Sequence, residues 1–440
     1  MNINEALEYI HGTYQFGSKL GLTNIKTLLK KLGNPEEGLR VIHVAGTNGK
    51  GSVCSMLQSI LTAAGYKTGL YTSPYIQRFN ERIRIGEEMI PDDDLAMMTA
   101  EVKVAVDAML SEGLTHPTEF EVVTAIGFLY FAREQVDVLV LEVGLGGRLD
   151  ATNVVNHPMV SVITPVDYDH MEYLGDTLAA IAGEKAGIIK TDCPVVVGQQ
   201  LPEALEVIRA KTVQLGAPCY LAVPEAITVH ESRLHGQVFS ATLNGVSYDH
   251  LRVALPGLHQ VDNCLVALQV LQLLQQESGF AIPEEALRKG LDTVHWMGRL
   301  EILQYDPLFI LDGAHNLSGA RSLAGSIQLL LPDQPVTLLT GMMADKDVRG
   351  FLKILLPKVS QVVVTRPDNP RAMAAETLAL VITDSFSHEV KEVHVEAEPE
   401  RAVEKALAIT PKDGAVICAG SLYLLGSVRQ WVLEGRKEIR

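Results

Sequence analysis

The apolar residues of this chain follow two alternating patterns, which together predict an α/β fold. Short and almost wholly apolar runs recur along the chain, and stretches with apolar residues every three or four positions follow them. Apolar runs of this kind are typical of strands in a mostly parallel sheet that helices cover on both faces. In the first half of the sequence, strands are predicted at residues 41–45, 67–74, 136–144, 160–166, 194–198 and 219–223.

The pattern changes after residue 224. Residues 225–256 contain short alternating segments with Asn244-Gly245 as a hairpin turn, and they predict an antiparallel flap. A second α/β series begins near residue 298. We therefore expect two domains, residues 1–297 with a mostly parallel sheet and residues 298–440 as a smaller Rossmann-like α/β domain. Strands of the second domain are predicted at residues 309–316, 336–341, 361–365 and 415–420.

Composition and charge limit the partners that this protein can have. The 440 residues, of which 47% are hydrophobic, are typical of a globular protein with more than one domain. The formal net charge of -16 and the absence of basic runs argue against nucleic acid or an anionic membrane as a partner. A local positive pocket for phosphate groups is compatible with this charge.

The cysteines and the N-terminal residues indicate a cytoplasmic protein. The five cysteines form no Cys-x-x-Cys pair, so we interpret them as small core residues in a reducing compartment. A basic region followed by an apolar run, as in a signal peptide, is not found at the N-terminus. No later segment approaches the roughly 18 consecutive apolar residues that a membrane-spanning helix needs.

The segment from Gly46 to Ser52 has the features of a phosphate-binding loop. Its glycines allow backbone N–H groups to approach an anion, Lys50 adds a positive charge and Ser52 adds a hydroxyl group. An amphipathic helix pattern follows, so the helix dipole also favours phosphate. The generic P-loop pattern is not met, because Gly51 separates Lys50 from Ser52. By itself the loop predicts only nucleotide binding, and a simple strand-to-helix turn is the alternative.

Three further residues have more than one interpretation when they are considered alone. Glu142 ends an apolar strand at the edge where α/β sheets bind ligands and could hold magnesium, but a capped or paired glutamate fits equally well. His170 follows the next strand and is a candidate metal ligand, a general base or an ordinary hydrogen-bonded residue. Lys185 extends either from an apolar helix face or from the surface.

Together these motifs give the chain a specific resemblance. Over nearly its full length it resembles the folylpolyglutamate synthase and dihydrofolate synthase family, a branch of the Mur ligases, and the inserted Gly51 is part of that resemblance. Tyr75, Met297 and Leu317 depart from the family's commonest pattern, but they lie beside the motifs and leave the polar residues intact. The resembling stretches, which occur in the family's order, are residues 46–52, 72–74, 79–83, 141–153, 169–170, 184–188, 298–301 and 312–316.

The resemblance implies a Mur-ligase-like P-loop ATPase domain followed by the smaller α/β domain. It also implies an ATP-dependent amide ligase that phosphorylates a carboxylate and joins it to the amino group of L-glutamate. The implied small-molecule substrates are ATP, L-glutamate and tetrahydrofolate or 7,8-dihydropteroate, and the implied metal is Mg²⁺. A monomer is implied as well. The charge and the absence of long apolar segments, given above, argue separately against nucleic acid or a membrane as a partner.

The resemblance assigns the site residues to four groups. The catalytic residues are Lys50, His315 and Lys185, of which Lys185 would carry a carbamate. The ATP-binding residues are Asn48, Gly49, Lys50, Gly51, Ser52, Asn263, Arg299 and Asp312. The magnesium ligands are Ser73, Glu142, His170 and the carbamate of Lys185. The pteroate or folate side is formed by Thr118, Phe120, Glu121, Leu149, Asp150 and Ala151.

Two other functions fit part of the pattern. Another Mur-type ligase, which joins an amino acid to a nucleotide-linked sugar peptide, matches less well at Lys50-Gly51-Ser52 and in the loop of residues 73–83. A non-catalytic nucleotide-binding ATPase module would need the phosphate loop and Glu142, but it would leave Lys185 and His170 without a role. The sequence does not separate an enzyme that adds glutamate to dihydropteroate from one that extends folates.

Overall fold

The computed structural model describes residues 1–17, 21–390 and 392–434. The chain forms two compact units, of which the first consists of Met1–Ile227, Ala241–Asp249 and Asp262–Val294. The second consists of Thr228–Ser240, His250–Val261 and the residues from His295 onward. Two short segments from the region of the predicted flap therefore belong to the second unit, whereas the sequence pattern suggested a single boundary at residue 297.

An eight-stranded sheet forms the centre of the first unit within the described residues. The order across the sheet is β4-β3-β2-β5-β1-β6-β7-β8. The pairs from β2 to β8 are parallel, and β3 and β4 add an antiparallel edge. Strands β2 to β5 lie on one side of β1, and the later strands β6 to β8 lie on the other side. The strand order thus changes direction at β1, and open α/β sheets bind their ligands at such a topological switch point. The strands are β1 (Val41–Ala45), β2 (Thr68–Tyr71), β3 (Ile83–Ile85), β4 (Glu88–Met89), β5 (Val138–Glu142), β6 (Val160–Ile163), β7 (Val195–Val197) and β8 (Cys219–Leu221).

Helices cover this sheet, and their apolar faces are buried against its apolar strands. Every residue of β1 and β5 is buried, as the apolar runs predicted for a sheet with helices on both faces. The helices that begin before residue 294 are α1 (Ile3–Gly12), α2 (Thr23–Lys31), α3 (Lys50–Ala63), α4 (Asp92–Ser111), α5 (Glu119–Arg133), α6 (Met171–Leu174), α7 (Leu178–Ala186), α8 (Pro202–Leu215), α9 (His259–Glu277) and α10 (Glu284–Thr293). Short 3₁₀ helices lie at Thr13–Phe16, Pro35–Gly38, Phe79–Arg82 and Ala151–Val154.

The predicted flap is a sheet of three strands in the described part of the chain. Its order is β11-β10-β9, and the strands are β9 (Ala226–Arg233), β10 (Gly236–Leu243) and β11 (Val246–Val253). Asn244 and Gly245 have φ values of 51° and 75° and connect β10 to β11. Positive φ at both positions is what a tight hairpin turn requires, so the hairpin predicted from Asn-Gly is confirmed.

The second unit contains a six-stranded sheet within the described residues, with the order β12-β13-β17-β14-β15-β16. The four predicted strands are present as β13, β14, β15 and β17, whereas the pattern missed β12 and the short β16. The strands are β12 (Glu301–Tyr305), β13 (Leu308–Leu311), β14 (Val336–Thr340), β15 (Gln361–Val364), β16 (Val393–Val395) and β17 (Ala415–Ala419). The helices are α11 (Leu317–Leu330), α12 (Val348–Leu355), α13 (Ala375–Phe386), α14 (Pro399–Ile409) and α15 (Leu422–Glu434), with a 3₁₀ helix at Leu356–Lys358.

Two sequence expectations concern the whole chain. The five cysteines are free thiols, and all except the partly buried Cys219 are buried. Within the described residues, no helix combines the length and the apolar character that crossing a membrane requires.

Candidate active site

The phosphate loop connects β1 to α3 and is anchored to the segment that follows β6. The backbone N–H groups of Thr47 and Asn48 donate to the carbonyl of Pro165 at 3.0 and 3.3 Å. Gly49 precedes α3 with φ of 87°, a left-handed conformation that glycine adopts without strain. The first turn of α3 is formed by Lys50, Gly51 and Ser52. Since the first N–H groups of a helix have no partner within it, this turn presents them to an anion.

Two lysines converge on one carbonyl of the loop. Lys50 Nζ donates to the carbonyl oxygen of Gly46 at 3.1 Å, and Lys185 Nζ, from the end of α7, donates to the same oxygen at 3.0 Å. Lys50 Nζ also lies 4.0 Å from a carboxylate oxygen of Glu142 at the end of β5. The structure therefore brings three predicted site residues of the first unit together around Gly46.

Lys185 is buried, which is unusual for a side chain that is normally charged, and its surroundings lower the pKa of its amine. Burial lowers the pKa of this lysine to about 7, and the nearby charge of Lys50 acts in the same direction. Asp169 and Asp150 oppose that shift. This lowered pKa favours the uncharged amine, which is the form that reacts with carbon dioxide.

The other predicted metal ligands lie beyond the carboxyl ends of neighbouring strands. Ser73 follows β2, whose last residue Tyr71 pairs with Leu141 in β5, directly before Glu142. The Ser73-Pro74 peptide bond is cis. His170 follows β6 and has φ of 49°, and its side chain is 44% exposed with Asp169 3.8 Å away. The fold thus places Ser73, Glu142 and His170 at the same edge of the sheet.

Asn263 is the predicted nucleotide contact that the structure places beside the phosphate loop. It lies near the start of α9 and is buried. A Cβ atom at Gly49 would collide with the side-chain oxygen of Asn263. Gly49 is therefore required both for the backbone conformation and for this close approach.

Thr118 and Glu121, predicted for the pteroate or folate side, have a clear structural role at the start of α5. The backbone N–H of Glu121 donates to the hydroxyl of Thr118 at 3.3 Å, and the backbone N–H of Thr118 donates to the Glu121 carboxylate at 2.8 Å. This reciprocal pair is a capping box. The same carboxylate accepts a hydrogen bond from the backbone of Ile25. Phe120, between them, is partly buried, and its ring fills the space beside Gly144.

Asp150 organises the loop after β5. Its carboxylate accepts hydrogen bonds from the backbone N–H of Leu145 at 2.8 Å and from the hydroxyl of Thr152 at 2.6 Å. Burial raises the pKa of Asp150, and these hydrogen bonds oppose the shift. Ala151 is buried and Leu149 is half-buried. Asp150 therefore fixes the shape of the loop that carries the predicted substrate residues.

The glycines of this loop permit it to pack closely against the end of α7. A Cβ atom at Gly147 would lie 2.7 Å from the carbonyl oxygen of Glu184. Arg148 donates its backbone N–H to that carbonyl at 2.7 Å and forms an ion pair of 2.7 Å with the Glu184 carboxylate. Since Lys185 follows Glu184, these contacts hold the lysine beside the phosphate loop.

His43 was missed in the sequence analysis although it lies in β1. Its Nε2 is 2.9 Å from the hydroxyl of Thr152, which in turn donates to Asp150. Burial lowers the pKa of His43 to about 3, so the ring is neutral at physiological pH. Its position as a polar residue inside an apolar run was the available signal. His43 connects the strand of the phosphate loop to the loop after β5.

The second unit contains the remaining predicted nucleotide residues. The carboxylate of Asp312, after β13, accepts hydrogen bonds from the backbone N–H groups of Leu300 at 3.1 Å and Ala314 at 2.9 Å. Burial raises its pKa, while the charge of Arg299 lowers it. His315 Nδ1 lies 2.8 Å from the carbonyl oxygen of Gly313. Asp312, Arg299 and His315 are therefore grouped within this unit.

Two family models match the chain and define its class. The Mur ligase middle domain matches residues 44–271, and the glutamate ligase domain of Mur ligases matches residues 298–422. The protein is thus a Mur-type, ATP-dependent ligase. It belongs to the folylpolyglutamate synthase and dihydrofolate synthase family, and the resemblance predicted from its motifs is confirmed.

The similarity extends over nearly the full length of several family members. The dihydrofolate synthase/folylpolyglutamate synthase of Bacillus subtilis is 37% identical over 97% of this chain and 98% of its own length. The structure of Mycobacterium tuberculosis folylpolyglutamate synthase complexed with ADP has a TM-score of 0.89 and 33% identity, with 98% of this chain and 99% of that chain covered. The Escherichia coli FolC structure, in complex with DHPP and ADP, has a TM-score of 0.87 and 30% identity, with 99% of both chains covered.

Proposed function

We propose that this enzyme adds L-glutamate to tetrahydrofolate and its glutamylated forms, and also to 7,8-dihydropteroate. The observation that carries the proposal is the convergence of Lys50 and Lys185 on Gly46, with Glu142 beside them, in a chain of this family. The name of the B. subtilis relative includes both activities, which supports both acceptors. We also propose a cytoplasmic monomer: the free cysteines support a reducing compartment, and the monomer is what the family resemblance implies.

Phosphorylation of a carboxylate explains the positive groups at the phosphate loop. The acceptor carboxylate attacks the γ-phosphorus of ATP, an acyl phosphate forms and ADP leaves. The amino group of L-glutamate then attacks the acyl carbon, an amide bond forms and inorganic phosphate leaves. The Lys50 ammonium and the first turn of α3 would offset the negative charge that builds up on the transferred phosphoryl group.

Asn48, Gly49, Lys50, Gly51 and Ser52 would contact the phosphates of ATP, and Asn263 would contact the nucleotide. Arg299 and Asp312 would provide further nucleotide contacts, and His315 would act near the reacting phosphate. Thr118, Phe120 and Glu121 would border the acceptor, together with Leu149, Asp150 and Ala151. For Thr118, Glu121 and Asp150 this role would be indirect, since their polar atoms already hold α5 and the loop after β5 in place.

The residues present fit a magnesium ion. Magnesium prefers oxygen ligands, and Glu142 offers a buried carboxylate at the functional edge of the sheet. Ser73 offers a hydroxyl group, and His170 would add a nitrogen ligand. A carbamate on Lys185 would replace a cation with an anion, which suits a metal site. When bound, the ion would neutralise charge on the phosphates of ATP.

The test is release of phosphate from ATP in the presence of Mg²⁺ and L-glutamate. We expect glutamate-dependent release with tetrahydrofolate and with 7,8-dihydropteroate, and little release without an acceptor. Release with tetrahydrofolate alone would contradict the dihydropteroate activity. Release that needs neither acceptor nor glutamate would contradict the proposal and favour an ATPase module.

Two matched lysine variants make this test specific for the site. Lys50→Ala removes the charge at the phosphate loop and should lower turnover by about 100-fold or more, the effect expected when a group that stabilises transition-state charge is removed. Lys30→Ala changes an exposed lysine at the end of α2 and should leave turnover unchanged. Equal activity of the two variants would contradict the role of Lys50.

A further inference from the structure

Arg82 is a cation in the first unit to which no role in the reaction has been assigned. Its backbone carbonyl accepts a hydrogen bond from the N–H of Thr72 at 3.0 Å, so the residue lies beside the end of β2 and next to Ser73. Its Nε atom is buried and has no hydrogen-bond partner among the described residues. A buried donor without a partner is costly to a folded protein, and this cost suggests that a ligand completes the contact.

Aromatic rings hold the Arg82 guanidinium in place. Its central carbon lies 5.3 Å from the ring centroid of Tyr75 and 5.5 Å from that of Phe79. Such contacts stabilise a guanidinium but satisfy none of its N–H groups. The other arginines of this segment differ, because Arg78 pairs with Asp92 at 3.2 Å and Arg84 donates to the Glu81 carbonyl at 3.1 Å.

Hydrogen bonds to the Glu81 side chain hold the loop that precedes Arg82 in one conformation. The buried Glu81 carboxylate accepts hydrogen bonds from the backbone N–H groups of Ile76 at 2.7 Å, Gln77 at 3.0 Å and Arg78 at 2.8 Å. This leaves Glu81 engaged with the backbone, and no ion pair joins it to Arg82 within the described residues. A positive group is thus fixed in position while its charge stays available.

Arg82 also borders the side of the site predicted for the acceptor. Burial raises the pKa of the Tyr71 phenol, and the charge of Arg82 opposes that shift, so the two groups are close. The Tyr71 ring in turn lies 6.3 Å from the ring of Phe120 in an edge-to-face arrangement. Arg82 and the predicted acceptor residue Phe120 are therefore both neighbours of Tyr71, and the Arg82 backbone bonds to Thr72, directly before the predicted metal ligand Ser73.

We propose that Arg82 binds the α-carboxylate of the terminal glutamate of a folate acceptor. A folate has two carboxylates on that residue, and only the γ-carboxylate is activated, so the α-carboxylate must be held by another group. A guanidinium fixed against aromatic rings suits this purpose, since its planar N–H groups match a carboxylate. Dihydropteroate has no α-carboxylate, so Arg82 determines specificity for folates over dihydropteroate. This inference rests on the proposed function.

The test compares two acceptors that differ in one group. The first is tetrahydrofolate, and the second is the analogue in which 4-aminobutyrate replaces glutamate, which keeps the reacting carboxylate and lacks only the α-carboxylate. For the wild-type enzyme, the KM of the analogue should be about 10- to 100-fold higher, as expected for loss of a charge-assisted hydrogen bond. Equal KM values would overturn the inference without any variant.

Arg82→Met should remove this discrimination. Its KM for tetrahydrofolate should rise to that of the analogue, while kcat and the KM for the analogue and for L-glutamate change little. Arg82→Lys should restore part of the discrimination. Arg78→Met, which changes an exposed arginine of the same segment, is the matched control and should behave like the wild type.

Three other results would each contradict a specific claim about Arg82 or about the proposed function. An equal loss of activity of Arg82→Met with both acceptors, together with a lower thermal midpoint, would show that Arg82 only braces its loop. A higher KM for L-glutamate alone would assign Arg82 to the incoming amino acid instead. If the wild-type enzyme used neither acceptor, the proposed function itself would be wrong. The role of Arg82 is judged separately, from the difference in KM between the two acceptors.

Discussion

Lys185 shows how the environment of one residue prepares its chemistry. The amine is buried at the end of α7 and donates to the carbonyl of Gly46, and burial lowers its pKa to about 7. A neutral lysine can add carbon dioxide and become an anionic carbamate. The sequence offered only a lysine in a helical pattern, so its burial and its contact with Gly46 could not be predicted without the structure.

Lys185→Ala should therefore lower glutamate-dependent phosphate release by about 10- to 100-fold, the loss typical when a group that supports a metal site is removed. Acetate or propionate should restore part of the activity, because a small carboxylate can occupy the space of the missing carbamate. The measurement is phosphate release with and without these additives. Lys103→Ala, at a surface lysine that pairs with Asp107, is the control. Full activity of Lys185→Ala without additives would contradict the role.

The predicted substrate residues show the limits of residue-level prediction. Thr118 and Glu121 match the Thr-x-x-Glu pattern of a capping box, and the structure forms that box at the start of α5. Asp150 likewise bonds to its own loop. The resemblance placed all three residues on the acceptor side, whereas the polar partners described for Thr118 and Asp150 are local. The contact of Glu121 with Ile25, 96 positions away in sequence, is tertiary and could not be predicted from the local pattern.

At the scale of elements, the phosphate loop and its strands were predictable because their signals are local. The run at residues 41–45 is β1, and α3 begins at Lys50, inside the predicted segment of residues 46–52. Both signals were readable because glycine spacing and apolar periodicity lie within a few neighbouring positions. The order of the strands was not predictable, because apolar runs of this type fit many orders in a parallel sheet. The two-residue strand β4 was also too short to give a pattern.

A substitution at Gly49 tests whether the conformation of the phosphate loop is needed for nucleotide binding. Gly49→Ala places a Cβ atom at a residue with φ of 87° and against the side chain of Asn263, which disturbs the start of α3. The strain of about 1–3 kcal/mol should appear as weaker ADP binding, measured by titration calorimetry. Gly12→Ala is the matched control, because Gly12 has φ of -59° and no atom within 4 Å of an added Cβ. An unchanged dissociation constant for Gly49→Ala would contradict this role of the loop.

At the scale of the whole molecule, the net charge is negative, whereas the predicted site must bind ATP, which is also negative. A formal net charge of -16 repels ATP at a distance, so binding depends on the local cations and on the helix N-terminus. Of the predicted phosphate-binding and metal-binding residues, Lys50, Lys185, Glu142, Ser73 and His170 belong to the first unit, whereas Arg299, Asp312 and His315 belong to the second. Nucleotide binding at the phosphate loop should thus stabilise the first unit directly.

Calorimetric unfolding with ADP measures this stabilisation. A ligand that binds only the folded state at 100 times its dissociation constant contributes about 2.7 kcal/mol, so ADP with Mg²⁺ should raise the unfolding midpoint. Removal of Mg²⁺ with a chelator should reduce the rise, since Glu142 would hold the ion in the proposed site and the ion would offset charge on the phosphates. Adenosine, which has no phosphate groups, should give little rise at the same concentration. Equal shifts with adenosine and ADP would show that the base, and not the phosphate loop, provides the stabilisation.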